Sequence, residues 1–529
     1  MLPRGQSEAA HDLRVSAHTR RGSPCRVGLI AGGIALALYA LTCARGVEWQ
    51  DPGIHQYRIV TAQLEHPLGL ALSHPLHYWV GRAALLLPGL DPVFKLNLMS
   101  ALFGAVGVGA LAGLVTGLTH NRLAGGLAAA TLALAHSYWQ MSALTETYSL
   151  AAALMTIEWV LLLRYARTHR PLWLVAVFAV NGLHVADHLL GLLTLATYGV
   201  LLVERIVRRR VAPRWLPVAI GAWIVTASPY LLLVVGHFAR TGDLAKTLHS
   251  ALFGGGADSA GWAGEVLNAS LSLGQLKLAG LTFGYCFPSA AGLVALVGLL
   301  RGTRGRRRLF RLVLLAQTVV VFVFVGRYTI RDLYTYFVPV CVLTALWFGL
   351  GADWLLRLWA SRPARRWITP LLVANALLPL AVYVIFPVVA QQRGWMRGRM
   401  RPIPFRNEYL HFFRPWRFLD DSPVKFARAA LNEAGPDGWI LADSTTTCTV
   451  ATECLTGEHL PSQRVYWGRT CLTDLRRPPL TDEELRARVE QGGRVIAVPS
   501  SQISALVPEP LVIEKREPFW RISNLSKEN

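Results

Sequence analysis

The residues that could do chemistry concentrate in one polar stretch, residues 46 to 82. This stretch combines carboxylate, imidazole and phenol side chains at Asp51, His55, His74, His77 and Tyr78. A positioned carboxylate can take a proton from a hydroxyl, and carboxylates with imidazoles can hold a divalent metal ion. Two structural interpretations stay open: a loop between membrane spans carries charges because it is solvated, and Asp51 before Pro52-Gly53 suits a tight turn.

Two later segments add candidate residues. Glu146 lies at the start of an apolar run in TETYSL, where the helix dipole also favours an acidic residue that only caps the helix. The turn NGLHVADHLLG contributes Asp187 and His188, and an ionisable residue at membrane depth is a functional hypothesis by default. We predict that these segments surround one cavity, with Asp51 and Glu146 as its acidic centre.

The turn GRYTIRDLYTYFVP supplies two arginines, Arg327 and Arg331. A guanidinium fork matches the oxygens of a phosphate group and stays charged when it is partly desolvated. Arginines beside aromatic residues at a membrane interface also anchor helices, and this alternative stays open. We predict that both arginines, together with His188, bind a phosphate.

The elements that must position these residues are membrane helices. Of the 529 residues, 53% are hydrophobic and only 16% are charged, with a mean hydropathy of +0.37. Apolar runs recur at or above the ~17 to 20 residues that cross a bilayer, which excludes a soluble single domain. The net charge of +21 comes from short basic clusters between these runs. Such clusters are typical of cytoplasmic loops, so nucleic-acid binding is not expected.

The basic clusters predict the topology. Residues 1–27 form a basic cytoplasmic tail, and the same side is marked by clusters at 164–170, 205–214, 301–311 and 357–366. Parity then places the segments that carry Asp51, Glu146, His188 and Arg331 on the opposite, extracytoplasmic side.

The stretch 28–390 is therefore predicted to be an all-α polytopic membrane domain with roughly eleven spans. Its large outer loops cover residues 45–96 and 236–280. Within the first loop, the apolar stretch 78–90 is too short for a span and predicts a re-entrant or interfacial helix. The chain is expected in a membrane, the plasma (inner) membrane if it is bacterial.

Residues 391–529 differ in composition from the rest. They are polar, and they alternate short β-type runs with one helical pattern at 481–491, which predicts a small α/β domain. Parity places this domain outside. Cys448, Cys454 and Cys471 lie close together there, and one pair could form a disulfide in an oxidising compartment.

The order of these parts resembles the GT-C superfamily of membrane glycosyltransferases. More narrowly, the chain resembles the group known as domain of unknown function 2723, which includes a eukaryotic transmembrane O-mannosyltransferase. The motifs that carry this resemblance are Asp51-Pro52-Gly53, His74-Pro75-Leu76-His77-Tyr78, KLNLMSALFGA, TETYSL, HVADHLLG and RDLYTYFVP.

The resemblance implies an inverting transfer of a sugar, mannose-like by preference, from a polyprenyl-phosphate donor to a protein or glycan acceptor on the outer face. The first-loop aspartate, here Asp51, would act as the base, supported by Glu146. Substrate contacts would fall to His55, His74, His77, Tyr78 and Asp187. The chain departs from the family pattern where Ile54 and His55 replace an acidic residue, and where a His-Pro-Pro-Gly-Tyr-Pro run is reduced.

Three further expectations complete the interpretation. A divalent metal ion is a possible cofactor. A transporter or flippase of lipid-linked material is the main alternative, although such a protein would place its ionisable residues deep within spans. A non-catalytic membrane scaffold that presents the tail domain is the other alternative.

Overall fold

The computed structural model describes residues 23–255, 262–268, 270, 272–301, 308–330, 332–359, 365–397, 401–457 and 462–524. Helices make up most of this part of the chain, and its one sheet lies near the C-terminal end. The predicted architecture, an all-α membrane domain followed by a small α/β domain, is confirmed.

The helices described before residue 400 are, in chain order, α1 (Pro24–Thr42), α2 (Gln50–Val60), α3 (Pro75–Leu85), α4 (Pro92–Thr119), α5 (Arg122–Ala133), α6 (His136–Ser142), α7 (Tyr148–Thr168), α8 (Leu172–Asp187), α9 (Gly191–Val207), α10 (Trp215–Thr241), α11 (Leu244–Phe253), α12 (Ala263–Val266), α13 (Leu273–Cys286), α14 (Ala291–Arg301), α15 (Arg308–Arg327), α16 (Val338–Leu358) and α17 (Arg365–Gln392). Two short 3₁₀ helices lie at Leu70–Leu72 and Thr335–Phe337.

Seven helices of the described chain are long and apolar enough to cross a membrane, namely α1, α4, α7, α10, α15, α16 and α17. An eighth span results if α13 and α14, which meet at a bend of 99°, are counted together. The chain is thus a multi-pass membrane protein. Each predicted span segment contains a helix, but the number of roughly eleven spans stays a prediction.

Two long apolar runs are interrupted. The run at 281–300 divides between α13 and α14, because Pro288 lies in the break and disfavours a continuous helix. The run at 122–140 divides between α5 and α6, with Leu134 and Ala135 between them. Helix α3, predicted as a short interfacial or re-entrant helix, has 11 residues and is too short for a span.

The C-terminal part contains α18 (Glu408–Phe413), α19 (Ser422–Ala434), β1 (Trp439–Ala442), α20 (Thr447–Thr456), β2 (Arg464–Trp467), β3 (Thr470–Cys471), α21 (Asp482–Glu490), β4 (Val495–Ala497), α22 (Ser501–Ser504), β5 (Leu511–Glu514) and β6 (Trp520–Asn524). The strand order is β3-β2-β1-β4-β6-β5, and β1 is parallel to both β2 and β4. Cys448, Cys454 and Cys471 are buried free thiols, so no disulfide joins them.

The sheet is apolar on both faces, as expected for buried parallel strands. On one face, Ile440 packs in a core that also includes Trp49 and Tyr57 of the first outer loop. On the other face, Leu441 packs in a separate core with Leu485 of α21. The first outer loop and the C-terminal domain therefore share one hydrophobic core.

Candidate functional site

A cavity of about 700 Å³ lies where the first outer loop, the membrane helices and the C-terminal domain meet. Its lining includes ionisable, aromatic and aliphatic residues from all three parts. The ionisable residues among those described are Asp51, His55, His66, His74, Glu146, His188, Glu265 and Asp332. The structure thus brings the predicted segments of the chain to one place.

Helix α2 holds Asp51 in its first turn. Pro52 is tolerated there because the first helical N–H groups have no intrahelical partner. Gly53 is required by a close approach, since a Cβ atom at this position would lie 2.3 Å from the carbonyl oxygen of Glu48. At the motif Asp51-Pro52-Gly53, the first turn of α2 therefore packs closely against the backbone of the preceding chain.

The Asp51 side chain is open to the cavity. No hydrogen bond among the described residues uses its carboxylate, so the tight-turn interpretation finds no support. The protein surrounding the cavity desolvates the carboxyl group, and this effect, with a smaller one from Asp332, raises the pKa of Asp51 to about 7. A carboxylate with this pKa is suited to general base catalysis near neutral pH.

Glu146 lies just before α7 and is buried. Its Oε2 atom accepts a hydrogen bond of 3.2 Å from the backbone N–H of Thr147, and it lies 3.7 Å from Nε2 of His55. Burial, and secondly the charge of Asp51, raises the pKa of Glu146 well above its usual value. Both effects favour the protonated form of Glu146.

Asn97 of α4 joins the two acidic segments. Its Nδ2 donates to the carbonyl oxygens of Ala44 and Gly46, at 3.1 Å each. Its Oδ1 accepts from Thr145 at 2.7 Å and from Gln56 of α2 at 3.0 Å. One buried amide thus fixes the chain before Asp51, the helix that carries Asp51 and the residue before Glu146.

A second chain of contacts orients His55. Arg58 donates to the hydroxyl oxygen of Tyr78 at 3.0 Å, and the Tyr78 hydroxyl donates in turn to Nδ1 of His55 at 3.1 Å. The Nε2–H group of His55 then points towards Glu146. His55 lines the cavity, whereas Tyr78 and Arg58 lie behind it, so Tyr78 acts as support and not as a cavity wall.

His74 and His188 lie side by side in the wall, with ring centroids 5.1 Å apart. Nδ1 of His74 donates to the carbonyl oxygen of Asp187 at 2.7 Å, which leaves Nε2 of His74 with a lone pair. Burial lowers the pKa of His74 to about 4, so the ring is neutral at physiological pH. Nδ1 of His188 accepts from Leu190 N–H at 3.1 Å, so its Nε2 atom is a donor.

Besides Tyr78, two further predicted substrate residues do not line the cavity. His77 and Asp187 are fully buried, and Nδ1 of His77 lies 3.9 Å from Oδ1 of Asp187. Neither ring nitrogen of His77 and neither carboxylate oxygen of Asp187 has a hydrogen-bond partner among the described residues. They form a second layer behind His74, whose ring bonds the Asp187 backbone.

The structure describes only one of the two arginines that were predicted to bind phosphate. Arg327 donates to the carbonyl oxygens of Val266 and Asn268, at 3.0 and 2.9 Å, and is not part of the cavity lining. Arg331 lies outside the described residues. The lining residues Tyr328 and Asp332 flank this position, so the turn does reach the cavity. The phosphate role of both arginines stays a prediction.

A metal-binding cluster is not found in the described part of the chain: no three His, Cys, Asp or Glu side chains there are arranged to hold an ion. The divalent cation expected from the sequence stays a prediction.

Many residues of the cavity wall were not predicted from the sequence. Three tyrosines line the wall, Tyr148, Tyr328 and Tyr336, and the first and last stand inside two of the quoted motifs. The prediction also omitted an aliphatic side of the cavity, formed by Leu189, Leu190, Leu192, Leu193 and Leu252. Ser444, Thr445 and Trp467 of the C-terminal domain complete the lining, and no local sequence signal connects them with the site.

Comparisons with known proteins agree with this arrangement. Residues 56–210 match the family described as Protein O-mannosyl-transferase TMEM260 N-terminal domain. The fold is similar to the crystal structure of ArnT from Cupriavidus metallidurans bound to undecaprenyl phosphate, with a TM-score of 0.55, 16% sequence identity, and coverage of 93% of this chain and 97% of that chain.

The apo crystal structure of ArnT from the same organism is similar too, with a TM-score of 0.52, 17% identity, and coverage of 97% of this chain and 98% of that chain. No curated protein sequence matches the chain. The family match and the shared fold confirm the resemblance predicted from the motifs: the chain has a GT-C-like fold, and its residues 56–210 resemble a protein O-mannosyl-transferase domain.

Proposed function

We propose that this chain is an integral-membrane glycosyltransferase that moves a sugar from a polyprenyl-phosphate donor to a hydroxyl group of a protein or glycan acceptor on the extracytoplasmic face. The match of residues 56–210 to a protein O-mannosyl-transferase domain favours a mannose-like sugar. The fold shared with ArnT bound to undecaprenyl phosphate favours a lipid-phosphate donor.

The observation that carries the proposal is the composition of the cavity of about 700 Å³. One side presents the carboxyl groups of Asp51 and Glu146, and another side presents leucines and aromatic rings next to His188. A sugar joined through phosphate to a long apolar chain has the same division into polar and apolar parts. An enclosed site of this kind also keeps competing water from the reacting carbon.

In the proposed step, the acceptor hydroxyl oxygen bonds to the anomeric carbon of the sugar while the bond from that carbon to the phosphate oxygen breaks. The lipid phosphate leaves with the electron pair, and Asp51 takes the hydroxyl proton. Attack from the side opposite the phosphate inverts the anomeric centre. Glu146, whose protonated form is favoured by burial, serves as a hydrogen-bond donor and positions the groups around Asp51.

The departing phosphate needs donors, because negative charge grows on its oxygen as the bond breaks. The Nε2–H group of His188 faces the cavity beside Tyr148 and Tyr336 and is one such donor. Arg331, which follows the lining residue Ile330, is proposed as the main cation at this end. Arg327 is proposed to support the turn through its two backbone contacts.

Product analysis tests the proposal. The purified full-length protein, reconstituted in lipid nanodiscs, is mixed with mannosyl, glucosyl and galactosyl polyprenyl phosphates and with glycan and peptide acceptors. We expect mass spectrometry to detect release of polyprenyl phosphate from at least one donor, with an inverted product anomer. Treatment with EDTA, followed by addition of Mg²⁺ or Mn²⁺, tests the divalent ion expected from the sequence.

The Asp51→Asn protein is the matched control, because it keeps the shape of the side chain. Movement of intact donor lipid across a vesicle membrane by both proteins, with no cleavage by either, would instead identify a transporter of lipid-linked sugar.

A further inference from the structure

The C-terminal domain contributes three side chains to the cavity although it is remote in sequence. Ser444 and Thr445 follow β1, and Trp467 is the last residue of β2. Strands β1 and β2 are parallel, and Trp467 pairs in register with Ala442, two residues before Ser444. The three side chains therefore stand together at the carboxyl edge of the sheet, the edge at which α/β sheets commonly bind ligands.

The loop after β1 lies directly against the start of α2. The backbone N–H of Gln50 donates to the carbonyl oxygen of Thr445 at 3.0 Å, and the hydroxyl of Thr449 donates to the carbonyl oxygen of Glu48 at 2.7 Å. Gln50 immediately precedes Asp51. The loop that carries Ser444 and Thr445 thus contacts the residue directly before Asp51, and all three residues line the cavity.

The same loop is rigid. Oδ1 of the buried Asp443 accepts from the backbone N–H of Thr445 at 3.1 Å and from the hydroxyl of Thr446 at 3.0 Å. Its Oδ2 lies 2.6 Å from Nη2 of Arg401. These contacts hold the backbone while the Ser444 side chain remains exposed. Such a preorganised loop loses little entropy when a ligand binds.

The three side chains keep unused bonding capacity. In the described part of the chain, no hydrogen bond involves the hydroxyl of Ser444, the hydroxyl of Thr445 or the indole N–H of Trp467. The flat face of an indole suits the C–H face of a sugar ring, and hydroxyl and N–H groups suit the hydroxyls at its rim.

Charge favours a neutral ligand at this edge. Of the described lining residues, none is Lys or Arg, and four are acidic: Asp51, Glu146, Glu265 and Asp332. An acidic peptide or an anionic headgroup would be repelled from the Asp51 side. A neutral glycan can form hydrogen bonds through its hydroxyl groups, and it carries no charge that would have to be desolvated.

We infer that the carboxyl edge of the C-terminal sheet is the acceptor subsite and that the acceptor is a neutral glycan, which lies on Trp467 and bonds Ser444 and Thr445. The inference rests on the proposed function, because only a transferase has an acceptor. Binding of a glycan at this edge can nevertheless be measured without any donor.

The test uses saturation-transfer NMR on the full-length protein in nanodiscs, with mannotetraose, maltotetraose and chitotetraose as probes. We expect at least one probe to bind the parent protein. Trp467→Ala should weaken that binding about tenfold or more, as for loss of a central aromatic contact, and Trp467→Phe should weaken it less. Ser444→Trp should abolish binding, because it fills the subsite from an exposed position without disturbing the fold.

Trp520→Ala and Ser462→Ala are the controls. Trp520 pairs with Ala497 at the same edge of the sheet but does not line the cavity, and Ser462 precedes the amino end of β2. Both should bind the probes like the parent. The inference is overturned if none of the three probes binds, if binding is unchanged in Trp467→Ala and Ser444→Trp, or if a neutral Ser/Thr peptide is the ligand that these variants lose.

Cleavage of a polyprenyl-phosphate sugar in the absence of acceptor is measured in parallel on the parent protein. Loss of glycan binding in Trp467→Ala and Ser444→Trp, with unchanged binding in the control variants, supports the subsite. Absence of donor cleavage in the parent protein, with glycan binding intact, counts against the proposed function and leaves the glycan site established.

Discussion

At the scale of single residues, the two cavity carboxyl groups differ in environment and therefore in role. Both line the cavity, but Asp51 is exposed to it, whereas Glu146 is buried and accepts a hydrogen bond from the backbone N–H of Thr147. We expect Asp51→Asn to lower the rate of sugar transfer by about 10² to 10⁴, the usual contribution of a positioned base. Glu146→Gln should lower the rate of sugar transfer less, because a protonated acid and an amide both donate hydrogen bonds.

Steady-state rates with a lipid-linked donor, measured at equal amounts of inserted protein, check this prediction. If Asp51→Asn transfers sugar at the parent rate, Asp51 is not the base and Glu146 becomes the candidate.

The raised pKa of Asp51 predicts the pH dependence. A base works only when deprotonated, so kcat/KM should rise with pH through a midpoint near 7. The stability of the fold should change with pH in the opposite direction. The pKa of Asp51 in the folded protein exceeds its ordinary value of 3.8. The contribution of this group to stability is therefore present below pH ~4 and is lost as the pH rises towards 7.

Asp332→Asn removes a negative charge that raises the pKa of Asp51, so the midpoint should move to lower pH. His74 is already neutral over this range and should not contribute a second step. A pH–rate profile of the parent and of Asp332→Asn measures both midpoints, and identical midpoints would contradict the electrostatic link.

The two arginines of the 324–336 segment should also differ. Arg331→Lys keeps the charge but loses the bidentate fork, so the apparent KM for the donor should rise, and Arg331→Ala should raise it further. Arg327→Lys should mainly reduce thermal stability, since the Arg327 guanidinium already bonds two carbonyl oxygens. Donor titrations and melting curves separate these effects, and unchanged donor dependence in both Arg331 variants would leave only a helix-anchor role.

At the scale of elements, the start of α2 is the most constrained part of the site. A Cβ atom at Gly53 would lie 2.3 Å from the Glu48 carbonyl oxygen and 3.3 Å from the Thr449 hydroxyl. Gly53→Ala must therefore shift α2 and with it Asp51. We expect a loss of transfer of about 10²-fold, as for a misplacement of about 1 Å, although Asp51 is intact.

Gly33→Ala on α1 is the matched control, because a Cβ atom there meets no other atom within 4 Å. It should leave activity unchanged and favour the helix slightly. Equal activity of Gly53→Ala and the parent protein would show that α2 tolerates the shift.

At the scale of the whole molecule, the membrane domain and the C-terminal domain form one site. Trp49 packs edge-on against Phe426 with ring centroids 5.1 Å apart, and the Tyr57 hydroxyl donates to the carbonyl oxygen of Leu472 at 2.7 Å. The cavity and the C-terminal domain must therefore lie on the same side of the membrane.

The basic clusters predict that this side is extracytoplasmic. A reporter fused after Asn529 should be active only outside the cytoplasm. Activity of a strictly cytoplasmic reporter would move the C-terminal domain, the cavity and Asp51 together to the inner face.

Local composition was enough to predict the membrane class, the positions of the long apolar helices and the segments that carry the acidic and imidazole groups, because a run of apolar residues crosses a bilayer whatever surrounds it. The motif Asp51-Pro52-Gly53 suited a tight turn, whereas the structure makes it the first turn of α2. The short strands and α21 were also visible, because alternation and helical periodicity are local patterns.

Tertiary structure alone decided which of these groups face the cavity. His74 and His77 are three residues apart, yet His74 lines the wall and His77 is buried behind it. Ser444 and Trp467 line the same cavity as Asp51 only because the sheet packs on the first outer loop through a core that joins residues far apart in sequence. Burial and long-range packing set these positions, and neither leaves a local pattern in the chain.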